Sequence, residues 1–456
     1  MTNPMDPTET IASRLKTDHI SFLLAQFVDI HGSPKVKMAP VEALGTLLGD
    51  GAGFAGGAVW GMGQGAHSHD MIGRIDPASY TPIPWQPGTA RFACDMYVDG
   101  APHPFCPRVN LKAWVAKARA HGFIFNLGIE PEHFLVVRKP DGSLGVWDPT
   151  GVDTLAKPCY DYKAVSPALG YLQDITRHCN QLGWEVYQTD HEDANGQFEV
   201  NFKYTDALTT ADRYTFFKMM TSQVAQKYGA TATHMPKPFA NRTGSGAHIH
   251  YHLADAATGR NLFTGEGDPR GLGLSELAYH FLGGILAHAP ALCAVTSPTV
   301  NCYKRLLVGE GLQSTRSGFT WTPAFISYGD NNRTQMIRVC GPGHIEDRSV
   351  SAGCNPYLAF AAYLAAGLDG IERRLEPGEP TLKNLYSMSP EQIASLRLRT
   401  LPQSLRESIS FLEQDAVVRA GLGAIADEFI KLKRQEWNEY HLQVTDWEVE
   451  QYLTLF

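Results

Sequence analysis

Glutamates, histidines and arginines at strand-like spacing are the residues of this chain that could do chemistry. Glu130 and Glu132 lie two apart in an apolar run over residues 125–137. Residues two apart on a strand leave the same face, so both carboxylates share one side of an otherwise apolar segment. Like charges held in apolar surroundings repel, and they are kept where a cation or a proton compensates them. Pro131 between them predicts a bulge or a strand edge, because proline cannot donate to a ladder. Glu192 and Glu199 form a second pair, and Glu199 leads into another strand-like run. His248, His250 and His252 alternate just after Gly244 and Gly246, which puts three imidazoles on one wall beyond a sharp turn or a close backbone approach. Arg305, Arg333, Arg338 and Arg348 complete the set, with Glu346 beside the last of them.

Hard carboxylate oxygens suit Mg2+ or Mn2+, with one imidazole leaning toward a site that also takes Mn2+. Arginine forks match carboxylate and phosphate groups. Acids for two divalent cations plus a ring of arginines is equipment for moving a phosphoryl group onto an acidic substrate. Taken alone, the alternate histidines fit Zn2+ or iron in a hydrolase or oxygenase. That reading leaves most of the glutamates and arginines without a task.

Strands and turns inside a helical frame must position these groups. Residues 20–28 read as a strand closed by a turn, and residues 41–48 as a short helix. Residues 49–65 form a glycine-rich loop with no phosphate-loop lysine, and residues 1–13 read as a loose leader. Residues 109–121 predict a helix with Leu111, Trp114, Val115 and Ala118 on one face, and residues 209–228 predict another. From Asn355 the chain is mostly helical, with Leu422, Ile425, Phe429 and Leu432 in one stripe and a capping box at Thr445 and Glu448. Proline-rich stretches near 76–87 and 101–107 place a boundary near residue 104, which gives domains over 14–104 and 105–456.

Composition bounds the partners. With 456 residues, two domains are the default. A formal net charge of −8 and a pI near 6.1 argue against nucleic acid. No basic region followed by an apolar one opens the chain, so no secretory signal is expected. The apolar stretches 282–295 and 357–368 are short or broken by Gly, His and Pro, so no membrane span is expected. Eight scattered cysteines without a CxxC pair fit free thiols in a reducing compartment, and the expected location is cytoplasmic.

The ordered motifs closely resemble the glutamine synthetase family from about residue 14 to the end. They are residues 128–132, Glu192 with 196–199, 235–238, 244–250, 303–306, 332–333, Arg338, Glu346 with Arg348, and 355–358. The resemblance implies an α+β fold: a β-grasp N-terminal domain and a catalytic domain of antiparallel strands in a half-barrel with helices. It also implies a homo-oligomer of two stacked hexameric rings, with active sites between subunits. Glu132, Glu192 and Glu199 match ligands of a first Mg2+ or Mn2+, and Glu130, His248 and Glu346 those of a second. Arg305, Arg348 and the backbone at Gly244 match the site for the α-carboxylate of L-glutamate. Arg333 matches the residue facing the transferring phosphoryl group, and Arg338 with His250 those on the ATP phosphates. Tyr204, Phe202, His252 and His344 fall where the nucleotide is touched, and Tyr160 where the nitrogen acceptor is lined. The implied reaction is ATP-dependent phosphorylation of the glutamate γ-carboxylate, then displacement of phosphate by an amine.

Departures from the family pattern point to the amine. Ammonia-using members carry aspartate in a Phe-Asp-Gly pattern, where this chain has Ala55 between Phe54 and Gly56. A flap glutamate is aligned with Trp321, after an insertion at 309–318. An apolar loop residue and an indole suit a nucleophile with a hydrocarbon part, methylamine first. Ammonia, as in glutamine synthetase itself, is the next reading, then a polyamine; a non-catalytic structural relative is the different class of answer. Glu192, Glu310 or Asp70 is expected to serve as the base that deprotonates the amine. Thr243 stands where the family has asparagine, and Tyr386 matches a tyrosine that some bacterial members adenylylate.

Overall fold

The computed structural model describes residues 7–308 and 321–456, so the expected insertion at 309–318 and Glu310 lie outside the described residues. Among the described residues the strands form two sheets. The first has seven strands along the path Pro34–Pro40, Phe22–Val28, Thr89–Val98, Met71–Ile75 and Ala52–Phe54, with two short strands added to Thr89–Val98. Its Phe22–Val28 and Thr89–Val98 strands run parallel. The second has ten strands, in the order Val186–His191, Gln197–Phe202, Phe123–Arg138, Ala247–Asp255, His344–Asp347, Ile337–Gly341 and Tyr328–Asp330, with three short strands added to Phe123–Arg138. It is antiparallel except for its last pair, Tyr328–Asp330 with Ile337–Gly341.

The alternation in Phe123–Arg138 decides how the second sheet sits. Phe125, Leu127 and Ile129 are buried in the main core, while Asn126, Gly128 and Glu130 face the other way. Helices Ala207–Lys227, Glu276–Thr296 and Pro356–Glu372 fill that core with Phe217, Phe281 and Phe360. Asp206, Ser275 and Asn355 cap these helices by accepting first-turn N–H groups. Asn355 also donates through Nδ2 to the carbonyls of Asp29 and Ile30, at 3.1 and 3.2 Å, and so ties the helix to the loop after Phe22–Val28.

Two expectations change, and a third holds for a different reason. The N-terminal segment is a helix, Pro7–Thr17, whose Ile11 and Leu15 are buried, rather than a loose leader. Pro131 sits at neither a bulge nor an outer edge. It pairs with Ala247 on one side, and on the other it falls where partners change: Thr205 faces Leu127 and Glu199 faces Glu132. The missing N–H therefore interrupts no ladder. Glu276–Thr296 is 21 residues long and apolar enough to span a membrane by length and composition, but 94% of its apolar window is buried inside the protein. It is a core helix.

A buried polar network knits the first sheet to the helices. Arg108, at the start of Pro107–Ala120, donates to Asp95 at 2.6 Å, to Asp76 at 2.9 Å and to Asp212 at 3.0 Å. Tyr357 donates to the same Asp212 at 2.6 Å. Without Arg108, Asp95 and Asp76 keep Lys112 and Asp212 keeps Tyr357, but the buried cation that joins all three carboxylates is lost. Arg108→Met should therefore lower stability by about 3–5 kcal/mol, read as a fall in the urea midpoint. A change within experimental error would mean that solvent already screens this network.

Candidate active site

The face of the ten-stranded sheet turned away from the core carries the chemistry. Residues directly opposite in a ladder share a face, and three rows line up. Asp190 faces Glu199, which faces Glu132. Glu130 faces His248. His250 faces Glu346, which faces Arg338. Six strands thus deliver acids, imidazoles and an arginine to one cleft, which Arg305, Arg333, Arg348, Tyr160 and Trp321 also line.

His248 stands at the centre. Its ring nitrogens lie 3.6 Å from carboxylate oxygens of Glu130, Glu132 and Glu346. His250 Nε2 is 3.0 Å from Glu130. Burial penalises the charge on Glu130, but His248 and His250 outweigh it and hold its carboxyl far below the usual range. Burial likewise opposes charge on Glu346, and Arg348 with the two histidines brings its pKa down to about 2. Arg348 and Arg338 donate to Glu346 at 2.6 and 3.0 Å. Glu132 accepts from Gln197 at 2.8 Å and from the Gly246 N–H at 3.0 Å.

Glu192 and Glu199 lack such cationic company. Burial, then the charges of Glu132 and Asp190, push Glu192 well above the usual carboxylate range. Burial, then Glu192 and Glu130, do the same to Glu199. Among the described residues, a backbone N–H at 3.0 Å and the Asn201 amide at 2.8 Å are the hydrogen-bond donors to them. Asp190, Glu192 and Glu199 can each bring a donor atom within 4.8 Å of the others, as can the sets Glu130, Glu199, His248 and Glu130, His250, Glu346. Most of the donors are carboxylate oxygens with an excess of negative charge, which fits hard divalent cations such as Mg2+ or Mn2+.

The glycines are needed for close approach rather than for a left-handed backbone, since neither Gly244 nor Gly246 has positive φ. A Cβ on Gly246 would lie 2.7 Å from Arg305 Nη2 and 2.8 Å from His248 Nε2. One on Gly244 would meet the Pro236 carbonyl at 2.5 Å. Arg305 is buried, and its fork is held by the carbonyls of Arg348 at 2.7 Å and Ser349 at 3.0 Å.

At one end of the face Tyr160 and Trp321, both with positive φ, line the cleft beside Cys159. At the other end His250 and His344 are 2.7 Å apart, and His252 packs edge-on against Tyr204 and contacts Asn126 at 3.1 Å. Phe202 does not join them: its ring is buried between Trp184 and Phe217, so its side chain belongs to the core. Ala55 and Asp70 are exposed on the first sheet's side and do not line this chain's cleft. Thr243 donates to Asp193. The Tyr386 hydroxyl is turned inward to the carbonyls of Thr322 and Arg333, at 3.1 and 3.5 Å. Asp190 was missed by sequence reasoning, although it stands two before Glu192, the same spacing that flagged Glu130 and Glu132.

Comparison with known proteins agrees with this geometry. Residues 104–452 match the family model described as glutamine synthetase, catalytic domain. The chain is 49% identical over 453 residues to the glutamate–methylamine ligase of Methyloversatilis universalis, covering 99% of this chain and 100% of that one. It is 40% identical over 442 residues to a glutamine synthetase of Rhizobium leguminosarum bv. phaseoli, covering 97% and 98%. A solved GmaS/ADP complex matches with a TM-score of 0.90 at 43% identity, covering 97% of this chain and 99% of that one.

The charge imbalance sets a pH signature. Glu192 and Glu199 have folded pKa values raised above 4.5, so their contribution to stability is present below the ordinary carboxylate range and is lost as pH rises through the shifted values. Glu130 and Glu346 behave oppositely, and their contribution is lost as pH falls below 4.5. The metal-free thermal midpoint should decline on both sides, and Mn2+ should abolish the decline on the alkaline side. Glu199→Gln should raise the metal-free midpoint above pH 4.5 while weakening Mn2+ binding. Identical metal-free curves for the two proteins would refute the imbalance.

Proposed function

This chain belongs to the glutamine synthetase family, and on that ground we propose that it joins the γ-carboxylate of L-glutamate to methylamine at the expense of ATP. The observation that carries methylamine over ammonia is the full-length likeness to a methylamine ligase, 49% against 40% for the Rhizobium glutamine synthetase. The replacement of two acids by Ala55 and Trp321 supports the same choice.

Glu132, Glu192 and Glu199 are assigned to one divalent cation, with Asp190 beside them, and Glu130, His248 and Glu346 to a second. The cations, when bound, neutralise charge on ATP and on the transferring phosphoryl group. Arg305 and Arg348 hold the glutamate α-carboxylate near the Gly244 backbone. Arg305 is pre-set for this by its carbonyl partners, which freeze the fork before substrate arrives. Arg333, exposed at the cleft, meets the phosphoryl group in flight, and Arg338 with His250 holds the ATP phosphates. His344, Tyr204 and His252 surround the nucleotide end.

Attack on γ-glutamyl phosphate needs the free amine, so a base must take a proton from methylammonium. Glu192 and Asp190 are assigned this task. Both act electrostatically on Cys159 and Tyr160 at the amine end, and carboxylate charge there favours taking a proton from the ammonium. Trp321 and Tyr160 supply apolar surface for the methyl group.

The assembly proposed is two stacked hexameric rings. Ala55 lies outside its own chain's cleft, which fits a loop that completes a neighbour's site, and the C-terminal Trp447, Leu453, Leu455 and Phe456 expose apolar surface that a partner would cover. The eight free thiols fit a reducing, cytoplasmic setting.

One methyl group against an apolar contact discriminates by ~1–3 kcal/mol, or about 10–200-fold. Methylamine and ammonia should both be substrates, with kcat/KM higher for methylamine by a factor in that range. Ala55→Asp should shift the ratio toward ammonia. Wild-type preference for ammonia would return the chain to glutamine synthetase, and an unchanged ratio in Ala55→Asp would remove the loop from the amine site. Monomers isolated by dilution should be inactive; an active monomer in light scattering would end the shared-site assignment.

A further inference from the structure

At the nucleotide end of the cleft the donor chemistry changes from hard to soft. Cys340 stands where the hairpin register shifts between Val339 and Gly341, and Gly341 pairs with His344 across the turn at residues 342–343. His344 lies two before Glu346 and so extends the active face, and Cys340, at the register shift, brings its Sγ to the same corner. His250 arrives from the neighbouring strand, opposite Glu346. His250 Nδ1 and His344 Nε2 are 2.7 Å apart, and the donor atoms of His250, Cys340 and His344 all lie within 4.8 Å of one another. Cys340 Sγ is also 3.7 Å from Glu346.

We propose that His250, Cys340 and His344 form a second kind of metal site, which takes a thiophilic divalent cation such as Zn2+ or Co2+ and, when loaded, blocks the ATP phosphates. One thiolate and two imidazoles on strands and a tight hairpin make a tetrahedral zinc-type set with a position left open, whereas Mg2+ prefers an all-oxygen octahedron. On binding, the thiol proton and any second proton on an imidazole leave to buffer and the sulfur–metal bond forms, with no change of oxidation state. A cation there would clamp the hairpin tip to the Ala247–Asp255 strand and take His250 from the phosphates. The site itself stands apart from the proposed reaction; only its inhibitory effect rests on that reading.

Co2+ titrated into the full-length protein in excess Mg2+ should give a thiolate-to-cobalt charge-transfer band at one equivalent per subunit. Cys340→Ser should lose the band, and Cys159→Ser, the other thiol that is not fully buried, should keep it. Zn2+ should raise the KM for ATP in wild type, and Cys340→Ser should need at least about tenfold more Zn2+ for the same effect, since loss of a ligand exceeds the 10–100-fold typical of losing an outer partner. No band in wild type, or a band that survives in Cys340→Ser, overturns the site. A band lost in Cys340→Ser with Zn2+ inhibition unchanged overturns the block on ATP. A normal band in a protein that turns over no glutamate or amine overturns the proposed reaction instead.

Discussion

Crowding of negative charge on one face of a sheet is the condition that the rest of the structure answers. Asp190, Glu192, Glu199, Glu130, Glu132 and Glu346 converge where solvent is scarce and like charges interact strongly. The chain compensates them unequally. Glu346 has two arginines, Glu130 two histidines, and Glu132 an amide and a backbone N–H. Glu192 and Glu199 are left with weak neutral donors. The deficit of positive charge is thus local, and it lies where a cation and the phosphates it carries would supply what the protein withholds.

That inequality comes from strand order rather than from composition. The Phe123–Arg138 strand lies between Gln197–Phe202 and Ala247–Asp255, so Glu132 is drawn into the acid-only row and Glu130 into the histidine row, although they sit two residues apart. The arginine of these ladder rows, Arg338, enters from beyond the Ala247–Asp255 strand. A gradient from bare acids to paired acids therefore runs across one sheet, with Tyr160 and Trp321 at one end of the face and His250 and His344 at the other.

Much of this was readable from the chain, because period-two spacing on a strand is a strict geometric rule. Glu130 with Glu132, and His248 with His250, needed no structure to be placed on one face. What spacing could not reveal was which rows would align, since register joins residues more than a hundred positions apart, as with Glu130 and His248. Phe202 shows the opposite failure: a match by position put it at the nucleotide, while packing against Trp184 and Phe217 puts its ring in the core. Gly246 was singled out for a sharp turn or close passage of a ligand, while the demand for glycine there comes from the chain's own Arg305 and His248 pressing on the backbone. Arg108 gave no signal, since a lone arginine opening a helix looks like any surface cation until three distant aspartates surround it.

The alternation along Phe123–Arg138 also guards assembly of the sheet itself. Its odd positions carry Phe125, Leu127 and Ile129 into the core, and its even positions carry Glu130 and Glu132 away from it. A pairing displaced by one residue would drive two carboxylates into the helices and leave three large apolar side chains in the cleft. Sheets built from distant segments form slowly and are prone to such off-register traps. Acids gathered for chemistry thus act during folding as a proofreading device, making the nearest wrong pairing one the chain abandons.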